Sequence, residues 1–237
     1  MAIFVGTPND DILDLTDGAN AAFNGVVGLD GDDVITGNDG DNTLIGDGGN
    51  GYDDANGYPG TKVYAEGGND EIFGGDGYDT IIGDNHTIGS FDGDIVGGND
   101  ELHGGDDGGL IVGDSQFIAV ASGETIDGDV VGGNDELTAG DVTGDDPNLL
   151  YGDSVSIAID GGTVTGDVIG GDDELTAGDS DDSNRLFGDS KEIVDNGGYV
   201  GGEVVGGDDV LIAGNSHNLL YGDTEDIADR GRLSLET

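Results

Sequence analysis

Gly133-Asn134-Asp135-Glu136-Leu137 is one of six copies of the pattern Gly-(Asn/Asp)-Asp-x-apolar in this chain. The other five copies begin at Gly31, Gly68, Gly98, Gly171 and Gly207, at intervals of 30 to 38 residues. A sustained period of this length is typical of a repeat protein, in which each unit buries its apolar face against its neighbours.

A second element, apolar-x-Gly-Asp, follows every copy of the first, as in Leu150-Tyr151-Gly152-Asp153. Its aspartates are Asp47, Asp84, Asp114, Asp153, Asp189 and Asp223. A third element, Gly-acidic-apolar-apolar-Gly-Gly, precedes the first in four copies, at 93–98, 128–133, 166–171 and 202–207. Because the three elements keep the same order along the chain, the pattern cannot result from amino-acid composition alone.

The apolar stretches within a repeat are short and are separated by Gly/Asp turns. Val155, Ile157 and Ile159 alternate with other residues, as in a strand with one buried face. Glycine adopts the positive φ of tight turns without steric cost. Its 51 occurrences therefore indicate many such turns. We therefore predict an all-β, right-handed parallel β-roll or β-solenoid, with two stacked coils of about 18 residues in each repeat.

The regularity of the repeats divides the chain into three sections. Residues 31–223 are predicted to form the six-repeat roll, and residues 1–30 an irregular N-terminal capping section. Residues 48–62 replace one strand by a loop rich in Tyr and Gly. Residues 224–237 lose the Gly-Asp pattern and are expected to form a C-terminal cap or tail.

Charge and composition exclude several classes of function. The chain has 53 acidic residues and 5 Lys plus Arg, for a net charge of −48. Nucleic-acid binding is not expected, because phosphate neutralisation needs Lys and Arg. Membrane insertion is not expected either, because no apolar run approaches the roughly 20 residues of a spanning helix. Disorder is disfavoured because the 34% of hydrophobic residues recur in register.

A compact fold with this charge repels itself unless bound cations neutralise it. The donors available are Asp carboxylates and turn carbonyls, and the absence of Cys excludes thiolate sites. Ca²⁺ accepts 6–8 such oxygens at about 2.3–2.6 Å in flexible geometry, whereas Mg²⁺ demands a stricter octahedron. The composition therefore favours multiple calcium ions.

These repeats resemble the repeats-in-toxin (RTX), or haemolysin-type calcium-binding repeat, family, whose nonapeptide Gly-Gly-x-Gly-x-Asp-x-apolar-x builds a parallel β-roll around calcium. Gly68-Asn69-Asp70-Glu71-Ile72, for example, is followed nine residues later by Gly77-Tyr78-Asp79-Thr80-Ile81. The resemblance implies that the motif aspartates bind Ca²⁺ with help from turn carbonyls. The motif aspartates are Asp33, Asp70, Asp79, Asp100, Asp135, Asp173 and Asp209. The other candidate ligands are the six aspartates of the second element, with Asn69, Asn99, Asn134, Asp172, Asp208, Gly31, Gly68, Gly98, Gly133, Gly171 and Gly207.

Later copies depart from the nonapeptide on one edge of the predicted roll. The aspartate at the position of Asp79 is replaced by Asn148, Asn184 and Asn218. These amides predict either a hydrogen-bonded ladder or weaker cation sites. We expect fewer ions on this edge than along the edge that carries Asp100, Asp135, Asp173 and Asp209.

The resemblance implies a non-enzymatic module that folds on binding calcium. It further implies type I secretion to the cell exterior or surface, with calcium ions as partners. Other surface or matrix components are further candidate partners, and the sequence leaves open whether the role is that of an adhesin, a matrix protein or a surface-layer protein. Two alternatives come from the residues themselves. Gly-Asp-Ser at 113–115, 152–154 and 188–190 suggests a hydrolase, and Thr138, Thr176 and the pair Thr163/Thr165 suggest an ice-binding threonine ladder.

Overall fold

The computed structural model describes residues 3–48 and 65–227. In these residues the chain forms 27 strands, every strand pair is parallel, and no helix could cross a membrane. The expected all-β solenoid is therefore confirmed. Part of the predicted 48–62 loop and most of the C-terminal section lie outside the described residues.

The strands, numbered in chain order, belong to five sheets, which we call sheets I to V. Sheet I contains β1 (Ile3–Val5), β3 (Gly25–Val27), β5 (Thr43–Ile45), β7 (Asp79–Ile82), β11 (Gly109–Val112), β16 (Asn148–Tyr151), β21 (Ser183–Phe187) and β26 (His217–Tyr221). Sheet II contains β2 (Ile12–Asp14), β4 (Val34–Thr36), β6 (Glu71–Phe73), β10 (Glu101–His103), β15 (Glu136–Ala139), β20 (Glu174–Ala177) and β25 (Val210–Ala213). Sheet III contains β8 (Thr87–Ile88), β12 (Phe117–Ile118), β17 (Ser156–Ile157), β22 (Glu192–Ile193) and β27 (Asp226–Ile227). Sheet IV contains β13 (Thr125–Ile126), β18 (Thr163–Val164) and β23 (Tyr199–Val200), and sheet V contains β9 (Ile95–Val96), β14 (Val130–Val131), β19 (Val168–Ile169) and β24 (Val204–Val205).

Each later repeat forms one wide coil. The chain passes from β10 in sheet II through β11, β12, β13 and β14, and then returns to sheet II as β15. Leu102 pairs with Leu137, and Leu137 with Leu175, so each repeat adds one layer to the stack. The expected pair of 18-residue coils per repeat is therefore wrong for this region, because the second half of each repeat lies beside the first half rather than above it.

The first residues of the chain continue the same sheets. β1 pairs with β3 and β2 pairs with β4, in register with the later strands. Ile3 pairs with Gly25 and Gly25 with Thr43, so these first coils are shorter than the later ones. The section 1–30, which we expected to be irregular, thus contains three strands of the roll.

Two apolar cores run along the stack. Sheets I and II enclose the first core, which includes Ile111 and Leu137 and which we call the roll core. Sheets III, IV and V enclose the second, the lobe core, which includes Ile118, Ile126 and Val130. Burying each large aliphatic side chain contributes about 1.5–3 kcal/mol, so both cores stabilise the stacking of one coil on the next.

A smaller apolar cluster lies on the outer face of sheet I. Its aromatic members stack directly, with ring centroids 4.9 Å apart for Tyr151 and Phe187 and 5.2 Å apart for Phe187 and Tyr221. The cluster therefore reinforces coil stacking without belonging to either core.

Candidate metal centre

The roll and the lobe meet along a narrow strip that we call the waist. Here the chain leaves sheet I through the Gly-Asp turn and returns to sheet II through a Gly-Gly pair. The two segments touch, because the amide of Gly98 donates to Asp84 Oδ2 at 3.2 Å and that of Gly171 to Asp153 Oδ1 at 3.1 Å. The lobe therefore covers an edge of the roll that would otherwise face solvent.

Six of the seven motif aspartates, all except Asp79, form a continuous column in the waist. In each coil the main-chain amide of the motif aspartate donates to Oδ1 of its counterpart in the next coil. The bond is 2.6 Å from Asp70 to Asp100, 2.7 Å from Asp100 to Asp135 and 2.7 Å from Asp135 to Asp173. One carboxylate oxygen of each residue is thereby fixed by the backbone of the preceding coil.

The other oxygen of each motif aspartate has no donor. In six of these aspartates Oδ2 is buried, and none of the described residues donates a hydrogen bond to it. The six are Asp33, Asp70, Asp100, Asp135, Asp173 and Asp209. Leaving a buried polar atom without a partner costs about 1–3 kcal/mol, and more for a charged group. Six equivalent atoms without partners therefore require an explanation.

Each of these oxygens faces a main-chain carbonyl. A Cβ atom placed on Gly113 would lie 2.0 Å from Asp135 Oδ2 and 1.9 Å from the carbonyl oxygen of Gly152. Gly46, Gly83, Gly152 and Gly188 have the same surroundings, one coil apart. Two acceptor oxygens of each coil therefore lie against the same glycine and within about 4 Å of each other, close enough to share a cation at Ca–O distances of about 2.3–2.6 Å.

A second column, formed by the aspartates of the Gly-Asp turns, runs beside the first. Besides the contacts of Asp84 and Asp153, Asp47 Oδ2 accepts from the amide of Gly68 at 3.0 Å and Asp189 Oδ1 from that of Gly207 at 3.0 Å. Oδ1 of Asp47 and Oδ1 of Asp84 are buried and have no hydrogen-bond donor among the described residues. The turn aspartates and the motif aspartates thus belong to one waist, except that Asp223 in the last turn is exposed.

Burial raises the pKa of the waist carboxyls. For Asp100, Asp114, Asp135 and Asp153 desolvation is the main cause and neighbouring waist carboxylates add to it, so each pKa lies well above the ordinary 3.8. Towards the ends of the column, desolvation raises the pKa of Asp33 to about 7 and that of Asp209 to about 6. Without a cation, the interior carboxyls are therefore most stable when protonated.

The residues just before the motif aspartates occupy a different surface. They are exposed, and each side-chain oxygen accepts from the amide of its counterpart in the following coil. Asn99 donates to Asn69 Oδ1, and Asn134 to Asn99 Oδ1, at 2.9 Å in both cases. Asp172 and Asp208 continue this ladder. The structure therefore places these five candidate ligands outside the waist, in a hydrogen-bonded ladder on the surface.

The candidate glycines are sites of close backbone stacking. A Cβ on Gly98 would lie 1.5 Å from the carbonyl oxygen of Gly68, and a Cβ on Gly133 would lie 1.4 Å from that of Gly98. Gly68, Gly171 and Gly207 are equally crowded against the preceding copy, and Gly31 has a φ of +127°. Any side chain at these positions would separate the coils.

The amides on the opposite edge of the roll form a ladder that is buried at Asn148 and Asn184 and exposed at Asn218. Asn148 Nδ2 donates to Asn184 Oδ1 at 3.0 Å, and Asn184 Nδ2 donates to Asn218 Oδ1 at 3.1 Å. The hydrogen-bonded ladder, one of the two possibilities left open for these residues, is therefore present. Asp79 lies in the same column of side chains and is fully buried.

The serines that suggested a hydrolase are buried, and the threonines that suggested an ice-binding protein form only a short row. Ser115, Ser154 and Ser190 are each 1% exposed, so the Gly-Asp-Ser hydroxyls lie beneath the surface. Thr138 pairs with Thr176 in sheet II, but the neighbouring rungs of that row are His103 and Ile212. The threonine row is therefore two residues long.

Within the described residues, no three carboxylate or imidazole side chains come together as a metal-binding group. A cation site in the waist must therefore be completed by carbonyl oxygens, and their mixture with carboxylates suits calcium. The sequence predicted turn carbonyls as donors without saying which ones, and the structure places those of Gly83, Gly113 and Gly152, in the apolar-x-Gly-Asp element, beside the motif carboxylates.

Comparison of the chain with protein-family models, with curated proteins and with solved structures found no match.

Proposed function

We propose that this protein is a calcium-binding solenoid module whose folding depends on calcium. One observation carries the proposal. In each coil of the waist, a buried Asp Oδ2 that has no hydrogen-bond donor among the described residues lies beside a main-chain carbonyl oxygen. A divalent cation in this space would neutralise the charge and satisfy both oxygens. The resemblance of the repeats to RTX sequences supports the same ion.

Calcium binding by the waist residues would be thermodynamically coupled to folding of the chain. In the folded chain, an Asp Oδ2 and a glycine carbonyl of the same coil are held beside each other against a glycine of the preceding coil, whereas the unfolded chain holds no such pair. An ion that binds only the folded state stabilises it by about 2.7 kcal/mol per site at 100 times its Kd. Several such sites would exceed the 5–15 kcal/mol stability that is typical of whole domains.

The biological setting follows from the affinity of such sites. Extracellular calcium modules bind at about 10⁻⁴–10⁻³ M, so a chain of this kind stays unfolded inside a cell and folds outside it. This behaviour fits a protein that is secreted or carried at the cell surface, by a type I exporter as in RTX proteins. There the folded solenoid would serve as an adhesin, matrix or surface-layer component rather than as an enzyme.

We expect calcium to convert an expanded, disordered chain into the folded solenoid, and chelation to reverse the change. The reason is that burial, together with repulsion between neighbouring waist carboxylates, disfavours the ionised folded chain without cations. Far-ultraviolet circular dichroism and size-exclusion chromatography across a calcium titration measure the transition. A full β spectrum and sharp thermal unfolding in excess chelator at pH 8 would contradict the proposal.

The neighbouring residues Asp173 and Asp172 provide a matched test of the waist. Asp173 is buried with Oδ2 lacking a donor, whereas Asp172 is exposed and its Oδ1 accepts from the amide of Asp208. We expect Asp173→Asn to raise the calcium concentration at half folding about tenfold, because an amide oxygen binds calcium more weakly than a carboxylate. Asp172→Asn should shift that midpoint less than twofold. Equal shifts in calcium titrations of the two variants would contradict the assignment to the waist.

A further inference from the structure

The chain makes a tight turn at 195–198, where it passes from sheet III to sheet IV of the lobe. The amide of Gly198 donates to the carbonyl oxygen of Asp195 at 2.9 Å, which closes the turn. The two central residues, Asn196 and Gly197, have φ values of +46° and +89°. Positive φ at both central positions characterises a type I′ turn, for which Asn-Gly is a favoured pair. The local sequence therefore suits the backbone.

The preceding coil contains the same turn with an acidic residue in it. The amide of Gly162 donates to the carbonyl oxygen of Ile159 at 2.9 Å, and the central residues Asp160 and Gly161 have φ values of +51° and +87°. Asn196 Nδ2 donates a hydrogen bond to Asp160 Oδ1, so these two side chains meet across the boundary between coils. The same turn therefore accepts an amide in one coil and a carboxylate in the other.

The side-chain amide of Asn196 is open to attack by the main-chain nitrogen that follows it. Asn196 and Gly197 are both exposed. None of the described residues accepts a hydrogen bond from the amide of Gly197, so its nitrogen is not held by the fold. A Cβ atom on Gly197 would meet no atom of the described residues within 4 Å, and glycine itself has no side chain to shield the nitrogen. Nothing described here hinders an approach of this nitrogen to Asn196 Cγ.

We propose that Asn196 is a site of spontaneous hydrolytic deamidation in the folded protein. The amide nitrogen of Gly197 loses its proton to a base in water and forms a bond to Asn196 Cγ. The bond between Cγ and the side-chain nitrogen breaks, and that nitrogen takes up a proton and leaves as ammonia, which produces a cyclic succinimide. Water then opens the ring at one of its two carbonyl carbons and gives an aspartate or an isoaspartate at position 196.

The modification changes the contact between the two coils at this turn. Ammonia carries away the nitrogen that donates to Asp160, so the hydrogen bond across the coils is replaced by two neighbouring carboxylates. The aspartate product keeps the turn, because Asp160 already occupies the equivalent position. The isoaspartate product adds one methylene to the main chain and alters the turn closed by Gly198. Each event therefore adds one negative charge and loosens this corner of the lobe.

Another Asn-Gly pair in the described residues provides an internal control. Asn24-Gly25 has the same sequence, but Gly25 is buried in β3, between β1 and β5 of sheet I. Its main chain has to leave the sheet before the nitrogen can attack. The pairs Asn50-Gly51 and Asn56-Gly57 lie outside the described residues.

The test follows the two pairs in the full chain, at pH 8 and in a buffer in which circular dichroism shows the β spectrum. We expect Asn196 to deamidate at least about tenfold faster than Asn24, because the reaction at Asn24 requires local opening of sheet I. Peptide mapping by mass spectrometry measures both rates. In water labelled with heavy oxygen, the product should contain one labelled oxygen atom. In concentrated urea the two rates should become similar, because the protection of Gly25 is lost.

The variant Asn196→Asp supplies one product of the reaction directly. Because the position is exposed and the turn accepts an acidic residue, we expect its calcium midpoint of folding to lie within about twofold of the wild-type value. An aged wild-type sample separated into its aspartate and isoaspartate forms should show this same midpoint only for the aspartate form.

The rates decide the inference independently of calcium. Equal rates at Asn24 and Asn196 in the folded chain would overturn it, as would an Asn196 that stays intact when folded and reacts only in urea. A chain that keeps its β spectrum and binds no calcium overturns the proposed function, and the ratio of the two rates still tests the modification site.

Discussion

Gly113→Ala is expected to abolish folding at every accessible calcium concentration. The new methyl group would lie 1.9 Å from the Gly152 carbonyl oxygen and 2.0 Å from Asp135 Oδ2, far inside contact distance. Both oxygens lie in the waist, and moving them to admit the methyl group would break up the pair that we propose as cation ligands. Overpacking of a rigid interior alone costs about 1–3 kcal/mol, and the loss of a bound ion adds to that cost. Circular dichroism across a calcium titration is the measurement.

Gly222→Ala is the control for this substitution. Gly222 occupies the equivalent position in the last Gly-Asp turn, but a Cβ there would meet no atom of the described residues within 4 Å. Neither glycine has a positive φ, so the two substitutions impose the same backbone change. Gly222→Ala should therefore fold with a nearly unchanged calcium midpoint. If both variants fold alike, the waist is not the crowded space described above.

Without calcium, the chain should be most stable in acid and should lose stability as the pH rises. The waist carboxyls have raised pKa values in the folded state, mainly because burial disfavours their charged form. A raised pKa means that the folded chain binds more protons than the unfolded chain, so stability falls with rising pH. These carboxyls contribute their full stabilisation below pH 3.8, the ordinary pKa of Asp. The stabilisation is lost as the pH rises through the pKa of about 6 for Asp209 and about 7 for Asp33, and at higher pH for the interior residues.

Thermal unfolding in excess chelator from pH 4 to pH 9 measures this dependence. We expect the midpoint to fall steadily with pH and the folded form to be lost near neutrality. In saturating calcium the trend should reverse at the acid end, because protons then compete with the ion for the same oxygens. A midpoint that stays constant or rises with pH in chelator would show that the waist carboxyls do not carry raised pKa values.

The sequence predicts the parts of the fold that depend on local pattern. The motif around Asp135 predicts a turn and a buried strand, and β15 begins at the next residue, Glu136. The amide ladder of Asn148 and Asn184 was also foreseeable, as one of two possibilities, because the same residue type recurs at one position of the repeat. Both features arise from residues close together in the chain or one repeat apart.

The lateral arrangement of the repeat was not predictable in the same way. Two short strands such as Thr125–Ile126 and Val130–Val131 have the same apolar pattern whether they stack above the roll or beside it. The difference lies in the Gly97 and Gly132 backbone, which passes close over the carboxylates of Asp114 and Asp153. This contact joins distant parts of the chain, and spacing within one repeat carries no information about it. For the same reason, the sequence could not say whether the two aspartate columns share one site.

The column of motif aspartates in the waist and the surface ladder of the residues just before them donate their hydrogen bonds in opposite directions. This has a consequence for how the chain changes over evolutionary time. Asp135 donates forward to Asp173, whereas Asp172 donates back to Asn134. Every boundary between coils is thus closed by the same reciprocal pair of bonds. Excision of residues 135–172 would join Gly133-Asn134 to Asp173-Glu174-Leu175 and recreate the sequence found at Gly98. Unequal recombination between copies can therefore lengthen or shorten this protein by whole units without creating a new kind of junction.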